Sequence, residues 1–182
     1  MPAVMDGLYL PPIETLDVDD LNSLPEGYRY ELHGGNLVIM TPSTFWHKEI
    51  AGRLYFMLRA AGLRAFQDPG VLGDLPRDTR LPDVGVVTTL PPDLADYSNL
   101  PGSAYQLVIE VVSENTPNGE YTAKSTWYAE RGIPEYWIAD RTPDRVHDDA
   151  VVHLLTLSVD KPVYERQRTV RLSELEAEYR AR

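Results

Sequence analysis

YQLVIEVV, residues 105–112, is a nearly continuous apolar run with one charged side chain, Glu110. A strand that is covered on both faces has this composition, because neither face has to meet water. Side chains alternate along a strand, so Glu110 shares its face with Val108 and Val112. The run therefore predicts a central strand of a buried sheet, with a carboxylate on a largely apolar face.

The segments on either side of this strand alternate between helical and extended patterns. After a cap at Ser43 or Thr44 and before a stop at Gly62, apolar residues recur at helical spacing, at Ile50, Leu54, Met57, Leu58 and Ala61. A second helix is predicted from Tyr121 to Arg131, a loop from Leu90 to Gly102, and a short polar helix at 172–182.

Hairpins are predicted at 29–40, with a turn at Gly34-Gly35, and at 151–170. Single strands are predicted at 82–87 and 134–140, and two short extended pieces within 63–73 flank a turn at Asp68-Pro69-Gly70. Helical and extended patterns in this order indicate an α/β fold, with a mixed central β-sheet flanked by helices and an added N-terminal hairpin.

Length and composition indicate an ordinary globular protein. The 182 residues fit one domain, which we place at 26–182 after an N-terminal arm at 1–25. The absence of cysteine excludes zinc-thiolate sites and thiol catalysis and fits a reducing compartment. The sequence contains neither the about 18 apolar residues of a spanning helix nor a signal-peptide pattern, so we expect a cytoplasmic protein without a membrane partner.

The formal net charge of −11 bears on possible partners. Proteins that bind nucleic acid usually carry clustered Lys and Arg, and this sequence has no such cluster. We therefore expect weak nonspecific DNA binding, with any attraction confined to a local cleft or supplied by a divalent cation. A plain soluble protein is the commoner reason for an acidic composition.

Two acids, Glu110 and Asp83, stand on predicted strands where a carboxylate needs a partner. An ionised carboxylate on an apolar face is costly unless it is paired, protonated or bound to a metal ion. Two acids at the ends of neighbouring strands are able to hold one Mg²⁺, which prefers one or two carboxylates, water and phosphate oxygens. For either acid alone, a salt bridge or a capping role is an equally good explanation.

Lys124 lies on the second predicted helix in one stripe with Trp127, Tyr128 and Arg131. Because the two aromatic residues should face the sheet, the lysine on the same stripe is able to reach inward. A lysine that extends along Tyr128 to solvent is the alternative. Next to two acids the inward position gains weight, since phosphodiester cleavage needs a positive group to orient water and stabilise developing charge.

Several separated motifs resemble one known family. In order they are YELHGGNLVIMTPS, His47, RLPDVGVV, LVIEVVSENT, Lys124 with Tyr128, and GIPEYWIAD. This pattern is similar to the Uma-type branch of the PD-(D/E)XK nuclease superfamily, over about Tyr28 to Leu157. The resemblance implies a restriction-endonuclease-like core.

The resemblance also implies a site. Asp83 and Glu110 correspond to acids that bind Mg²⁺ or Mn²⁺ in that superfamily, and the main-chain carbonyl of Val111 corresponds to a further ligand. The usual lysine two residues after the second acid is absent, because Val112 stands there. Uma-type members take the lysine from the next helix, which implies Lys124, and a side chain from a helix is able to fill the same space.

Other positions are weaker candidates. His47 is either a proton carrier in the cleft or a surface residue, and Glu31 either supports the site or, preferably, forms a salt bridge. Ser113 is better explained by a turn with 114–116, and Gln67 is at most near the cleft. The group His147, Asp148, Asp149 and His153 resembles a metal site only superficially, and solvation is the preferred explanation.

We therefore predict a metal-dependent endonuclease that hydrolyses DNA, with His47 as an additional catalytic candidate. One rival is a catalytically silent module of the same fold that binds DNA or protein, which the charge and the missing strand lysine favour. Another is a hydrolase of small phosphodiesters, which suits the acidic charge. A homodimer is expected by analogy with nuclease-like domains.

Overall fold

The structure is a computed structural model that describes residues 10, 12–40, 42–96, 98–113 and 119–182. A six-stranded mixed sheet forms its centre. In spatial order the strands are β11 (Tyr164–Arg171), β10 (Val151–Leu157), β9 (Glu135–Asp140), β8 (Tyr105–Val111), β6 (Val84–Val87) and β3 (Ala65–Gln67). β8 and β9 run parallel, and the other neighbours are antiparallel. The apolar run at 105–112 thus forms an interior strand, as predicted.

A second mixed sheet has five strands in the order β2 (Asn36–Met40), β1 (Arg29–His33), β5 (Thr79–Arg80), β4 (Gly70–Leu72) and β7 (Asn99–Pro101). The predicted N-terminal hairpin forms β1 and β2, and β1 pairs with β5 in this sheet. Part of the predicted loop at 90–102 is wrong, because β7 pairs in parallel with β4. Strands of two or three residues are too short to show alternation in a sequence.

Helices α1 (Phe45–Ala60) and α3 (Leu172–Arg180) contribute to one core against the six-stranded sheet. Thr44 caps α1, since its Oγ1 accepts the His47 N–H at 3.3 Å. Gly62, with φ of +82°, follows the helix end in a conformation that other residues adopt at a cost. α3 is less polar than predicted, because Leu172 and Leu175 are buried in this core.

Helix α2 (Ala123–Glu130) lies on the other face of the six-stranded sheet. Its Trp127 and Tyr128 share a core with Val108 of β8 and with Val71 of the five-stranded sheet. The helix is shorter than the predicted 121–131, and Gly132, with φ of +70°, follows it. The central sheet therefore has helices on both faces, which confirms the predicted α/β arrangement.

The described part of the N-terminal arm packs on the hairpin. It contains short 3-10 helices at Ile13–Thr15 and Asp20–Ser23. Leu16 and Leu24 are buried against Tyr30 of β1. Within the described ranges, no helix has the length and apolar character that crossing a membrane requires.

Candidate functional site

Asp83 stands directly before β6, at the end of that strand nearest to Glu110. In the β6–β8 pair Val84 lies opposite Ile109, so Asp83 comes alongside the following residues of β8. Its Oδ2 accepts the N–H of Val111 at 2.8 Å, and the residue is buried. Strand pairing therefore places one predicted acid beside the strand that carries the other.

The main chain at Val111 faces Asp83. Val112 donates its N–H to Ala139 of β9, whereas Val111 donates to Asp83 on the opposite side of the strand. In a strand, the N–H and C=O of one residue point to the same side. The carbonyl of Val111, which the family resemblance implies as a metal ligand, accordingly points toward Asp83.

Glu110 is buried, and each of its carboxylate oxygens accepts a hydrogen bond from α2. Lys124 Nζ donates to Oε2 at 2.8 Å, and Tyr128 OH donates to Oε1 at 2.7 Å. Lys124 therefore reaches inward from the helix, on the stripe that its spacing indicated. The three residues of the predicted site, Asp83, Glu110 and Lys124, meet at one end of the central sheet.

Burial dominates the charge state of Glu110. Removal of water from the carboxylate, with repulsion from Asp83 and Glu31, outweighs the attraction of Lys124 and raises the pKa of Glu110 to about 7. For Lys124 the balance is the reverse: burial lowers the pKa of the ammonium, but Glu110 and Glu31 outweigh it and hold the pKa above its ordinary value. Lys124 is thus a fixed positive charge among acids.

His47 and Arg29 approach Asp83 from other elements. His47, in the first turn of α1, has Nε2 3.3 Å from Asp83 Oδ2, and Arg29 of β1 has Nη1 3.7 Å from Oδ1. Burial opposes ionisation of Asp83, but His47 and the Val111 N–H outweigh it, so its pKa is lowered. Burial likewise lowers the pKa of His47, and Asp83 reverses this to a net rise. Asp83 is therefore ionised at neutral pH.

The sequence and the fold match known proteins. The Uma2 family model, described as "Putative restriction endonuclease", matches residues 17–179. The chain belongs to the Uma2 family. One similar solved structure is described as a "putative nuclease belonging to DUF820" from Anabaena variabilis. The two chains are 17% identical, with a TM-score of 0.61 over 86% of this chain and 83% of that one. A search of curated proteins gave no match.

These matches confirm the predicted family and the restriction-endonuclease-like fold, and at a coarse level they support a nuclease. At 17% identity the solved structure shows the fold alone. The roles of individual residues, the metal ion and the homodimer stay predictions.

The donor set of this Uma2 chain suits a hard divalent cation. Two carboxylates and one main-chain carbonyl are oxygen donors of the kind that Mg²⁺ and Mn²⁺ prefer, with water and phosphate filling the other positions. Among the described residues, no group of three or more His, Cys, Asp or Glu side chains is arranged to hold a metal ion. The fit therefore depends on Asp83, Glu110 and the Val111 carbonyl together.

The weaker candidates, Glu31, Gln67 and Ser113, lie in different surroundings. Glu31 is buried; its Oε2 is paired with His33 Nε2, and its Oε1 accepts the Leu81 N–H at 2.8 Å. Gln67 ends β3 and lines a pocket that also includes Asp83 and His47. Ser113 is half-buried just after β8, and the turn proposed with 114–116 lies outside the described residues.

The prediction that Asp149 is solvated is wrong, because its side chain is buried. Its Oδ2 accepts the Ser173 hydroxyl at 2.8 Å, and its Oδ1 accepts the Ser173 and Ala150 N–H groups at 3.1 and 2.9 Å. These bonds anchor the start of α3. Asp149 accepts hydrogen bonds from the first turn of α3 although it lies 24 positions before Ser173. No local sequence pattern reveals a contact of that separation.

Sequence reasoning missed two residues near the site. Arg29 pairs with Asp68 at 2.6 Å as well as approaching Asp83. A hairpin and a distant turn supply the pair, and no periodic signal links them. Tyr128 was placed on the inward stripe, but its bond to Glu110 was not foreseen. An aromatic residue four positions after Lys124 was the available signal.

Proposed function

We propose that this Uma2 chain is a metal-dependent endonuclease that hydrolyses phosphodiester bonds in DNA. Asp83 and Glu110 would hold Mg²⁺ or Mn²⁺, with the Val111 carbonyl as a further ligand, and Lys124 would orient the attacking water. The observation that carries the proposal is the 2.8 Å contact between Lys124 Nζ and Glu110 Oε2, beside Asp83. Val112 stands where the superfamily usually has a lysine, and Lys124 from the helix brings a positive charge to Glu110 instead.

The residues of the chain have separable tasks. The Val111 N–H and His47 orient the Asp83 carboxylate, and its lowered pKa keeps it ionised. An ammonium has three donors, so Lys124 is able to donate to a water or a phosphate oxygen while it holds Glu110. When bound, the cation would polarise the phosphate and lower the pKa of its water. His47 is close enough to Asp83 to carry a proton at that end of the site.

The test compares near-isosteric variants in a DNA cleavage assay. We expect Asp83→Asn, Glu110→Gln and Lys124→Met each to lower cleavage of supercoiled, linear and single-stranded DNA by at least about 100-fold, the usual loss when one charge-stabilising group is removed. The matched control is Glu176→Gln, which removes an acid paired with Arg53 between α1 and α3. Circular dichroism checks that every variant is folded.

Three outcomes are informative. Activity that is equal in all variants would sink the assignment. Activity on a nitrophenyl phosphodiester alone would move the substrate from DNA to small phosphodiesters. Activity that persists in excess chelator would remove the metal ion from the mechanism.

One observation favours a second candidate, a silent DNA- or protein-binding module. Both Glu110 oxygens already accept protein hydrogen bonds, so the acid is satisfied without a cation. Calorimetric titration with Mn²⁺ separates the two functions. An enzyme binds Mn²⁺ and loses that binding in Asp83→Asn, whereas a silent module shows no Asp83-dependent heat.

A further inference from the structure

A pocket of about 290 Å³ opens beside Asp83, and Lys124 is not among the residues that line it. Its walls include three basic side chains, Arg29, His47 and Lys48, together with Gln67, Asp68 and Asp83. This volume is near the lower end of the range for ligand sites, about 300–1,000 Å³. A pocket of this size suits a single nucleotide unit better than a longer stretch of nucleic acid.

The pocket brings the cations Arg29 and Lys48 together with the acids Asp68 and Asp83, in a chain whose net charge is −11. Arg29 Nη1 lies 3.7 Å from Asp83 Oδ1, which is longer than a hydrogen bond, so this nitrogen is able to donate to an incoming phosphate oxygen. Lys48 supplies a second cation at the same opening. Cations gathered in a local cleft are the groups through which an acidic protein is able to attract an anion.

Phe45 adds an aromatic surface next to one of these cations, Lys48. It lies three residues before Lys48 on α1, and the Lys48 Nζ sits 5.6 Å from the centre of its ring. The Phe45 side chain is 90% exposed, so its ring is open to a flat partner. Phe56 is 70% exposed on the same helix and, among the described residues, has no cation at its ring, so it serves as an internal comparison.

We propose that this pocket, together with the exposed Phe45 ring beside its Lys48, binds an unpaired nucleotide next to the bond that is cut. Arg29 and Lys48 hold the phosphate, and the Phe45 ring stacks on the base. Stacking requires an exposed base face, which a duplex hides within its stack, so the site selects single-stranded or locally opened substrate. The inference rests on the proposed nuclease function and specifies the substrate of that site.

The test measures binding without cleavage. Fluorescence anisotropy with a short labelled oligonucleotide, in EDTA, compares single-stranded DNA, single-stranded RNA and duplex DNA. The wild type should bind either single strand more tightly than the duplex, and the difference between DNA and RNA reports whether the ribose is read. We expect Phe45→Ala to weaken single-strand binding about tenfold or more, as the loss of one stacked base does, and Phe45→Trp to retain it.

Salt dependence distinguishes the two kinds of contact. Lys48→Ala should reduce the slope of log affinity against log salt by about 0.7, the value for one phosphate contact on a single strand. Phe45→Ala should leave that slope unchanged, because it removes no charge. The matched controls on the same helix, Phe56→Ala and Arg59→Ala, should match the wild type in affinity.

The inference is overturned if the wild type binds no single strand, prefers duplex DNA, or loses as much affinity in Phe56→Ala as in Phe45→Ala. These results are distinct from failure of the nuclease proposal. If single-strand binding depends on Phe45 but the chain cleaves no substrate, the nucleotide-binding proposal is supported and the nuclease proposal is rejected. If the chain cleaves DNA and Phe45→Ala leaves the affinity for single strands unchanged, the nuclease proposal is supported and the nucleotide-binding proposal is rejected.

Discussion

At Glu110 two opposing electrostatic effects act on one carboxylate. Lys124, 2.8 Å away, favours the ionised form, but burial and the nearby acids Asp83 and Glu31 disfavour it more strongly. A buried ion pair often fails to recover the cost of removing its charges from water. The acid is therefore kept near the midpoint of its titration at neutral pH, where a cation would readily displace its proton.

The sign of the resulting pH dependence follows from the raised pKa. Because the folded pKa of Glu110, about 7, exceeds the ordinary value of 4.5, the protonated acid stabilises the folded state. That stabilisation is complete below about pH 4.5 and is lost as the pH rises through 7. The free energy of unfolding of the wild type, relative to Glu110→Gln, should thus fall by up to about 1.4 kcal/mol per pH unit in this window.

Urea unfolding of both proteins in EDTA, from about pH 5 to about pH 8, measures this difference, because groups that do not interact with Glu110 titrate alike in the two proteins. A difference that stays constant across the window, or that grows with pH, would show that the pKa of Glu110 is not raised.

At the scale of elements, a polar cluster fixes α2 against the five-stranded sheet. Trp127 Nε1 donates to Asp78 Oδ2 at 2.8 Å, and Arg131 Nη2 contacts the same oxygen at 3.2 Å. The guanidinium carbons of Arg80 and Arg131 lie 4.7 and 4.1 Å from the Trp127 ring centre. Because α2 also carries Lys124, this cluster fixes the position of the site's positive charge.

Trp127→Phe tests the cluster. The change keeps an aromatic ring but removes the N–H that Asp78 accepts, and we expect it to lower the free energy of unfolding by at least about 1.5 kcal/mol, as for other hydrogen bonds to charged groups. Urea denaturation gives the value. The matched control is Arg168→Ala, which breaks an exposed pair with Glu178 and should cost less than about 1 kcal/mol. Equal losses in the two variants would mean that the cluster contributes no more than a surface pair.

Long periodic elements and strand-end acids were predictable from the sequence, because their signals are local. The spacing of Ile50, Leu54 and Leu58 predicted α1, and the stripe of Lys124 with Trp127 and Tyr128 predicted the inward lysine. The five-stranded sheet was not predictable as a whole. Its strands β4, β5 and β7 have two or three residues each, and their pairing depends on contacts between distant parts of the chain.

The same distinction holds within the site. Asp83 and Glu110 were found because an acid beside an apolar run is unusual in any sequence. Arg29 and its partner Asp68 come from a hairpin and a turn 39 positions apart, and exposed Arg and Asp are too common to mark a site. The contacts that shape the pocket beside Asp83 therefore required the structure.

At the scale of the whole molecule, the net charge of −11 opposes any contact with nucleic acid, but only over the distance that salt allows. The screening length is about 8 Å at 0.15 M salt and about 30 Å at 0.01 M. Acids far from the pocket should thus repel an oligonucleotide at low salt and have little influence at physiological salt. Local cations such as Arg29 and Lys48 should attract the oligonucleotide at both salt concentrations.

Neutralising two exposed acids on the β10–β11 hairpin tests this reasoning. Asp160→Asn with Glu165→Gln changes the net charge from −11 to −9 and leaves the pocket intact. We expect tighter binding of a single-stranded oligonucleotide at about 0.01 M salt and unchanged affinity at about 0.15 M, measured by fluorescence anisotropy. The control is Asp160→Asn alone, which should give about half of the low-salt gain in binding free energy. If the double variant gains as much at physiological salt as at low salt, the hairpin contacts the oligonucleotide directly, and the binding surface extends beyond the pocket beside Asp83.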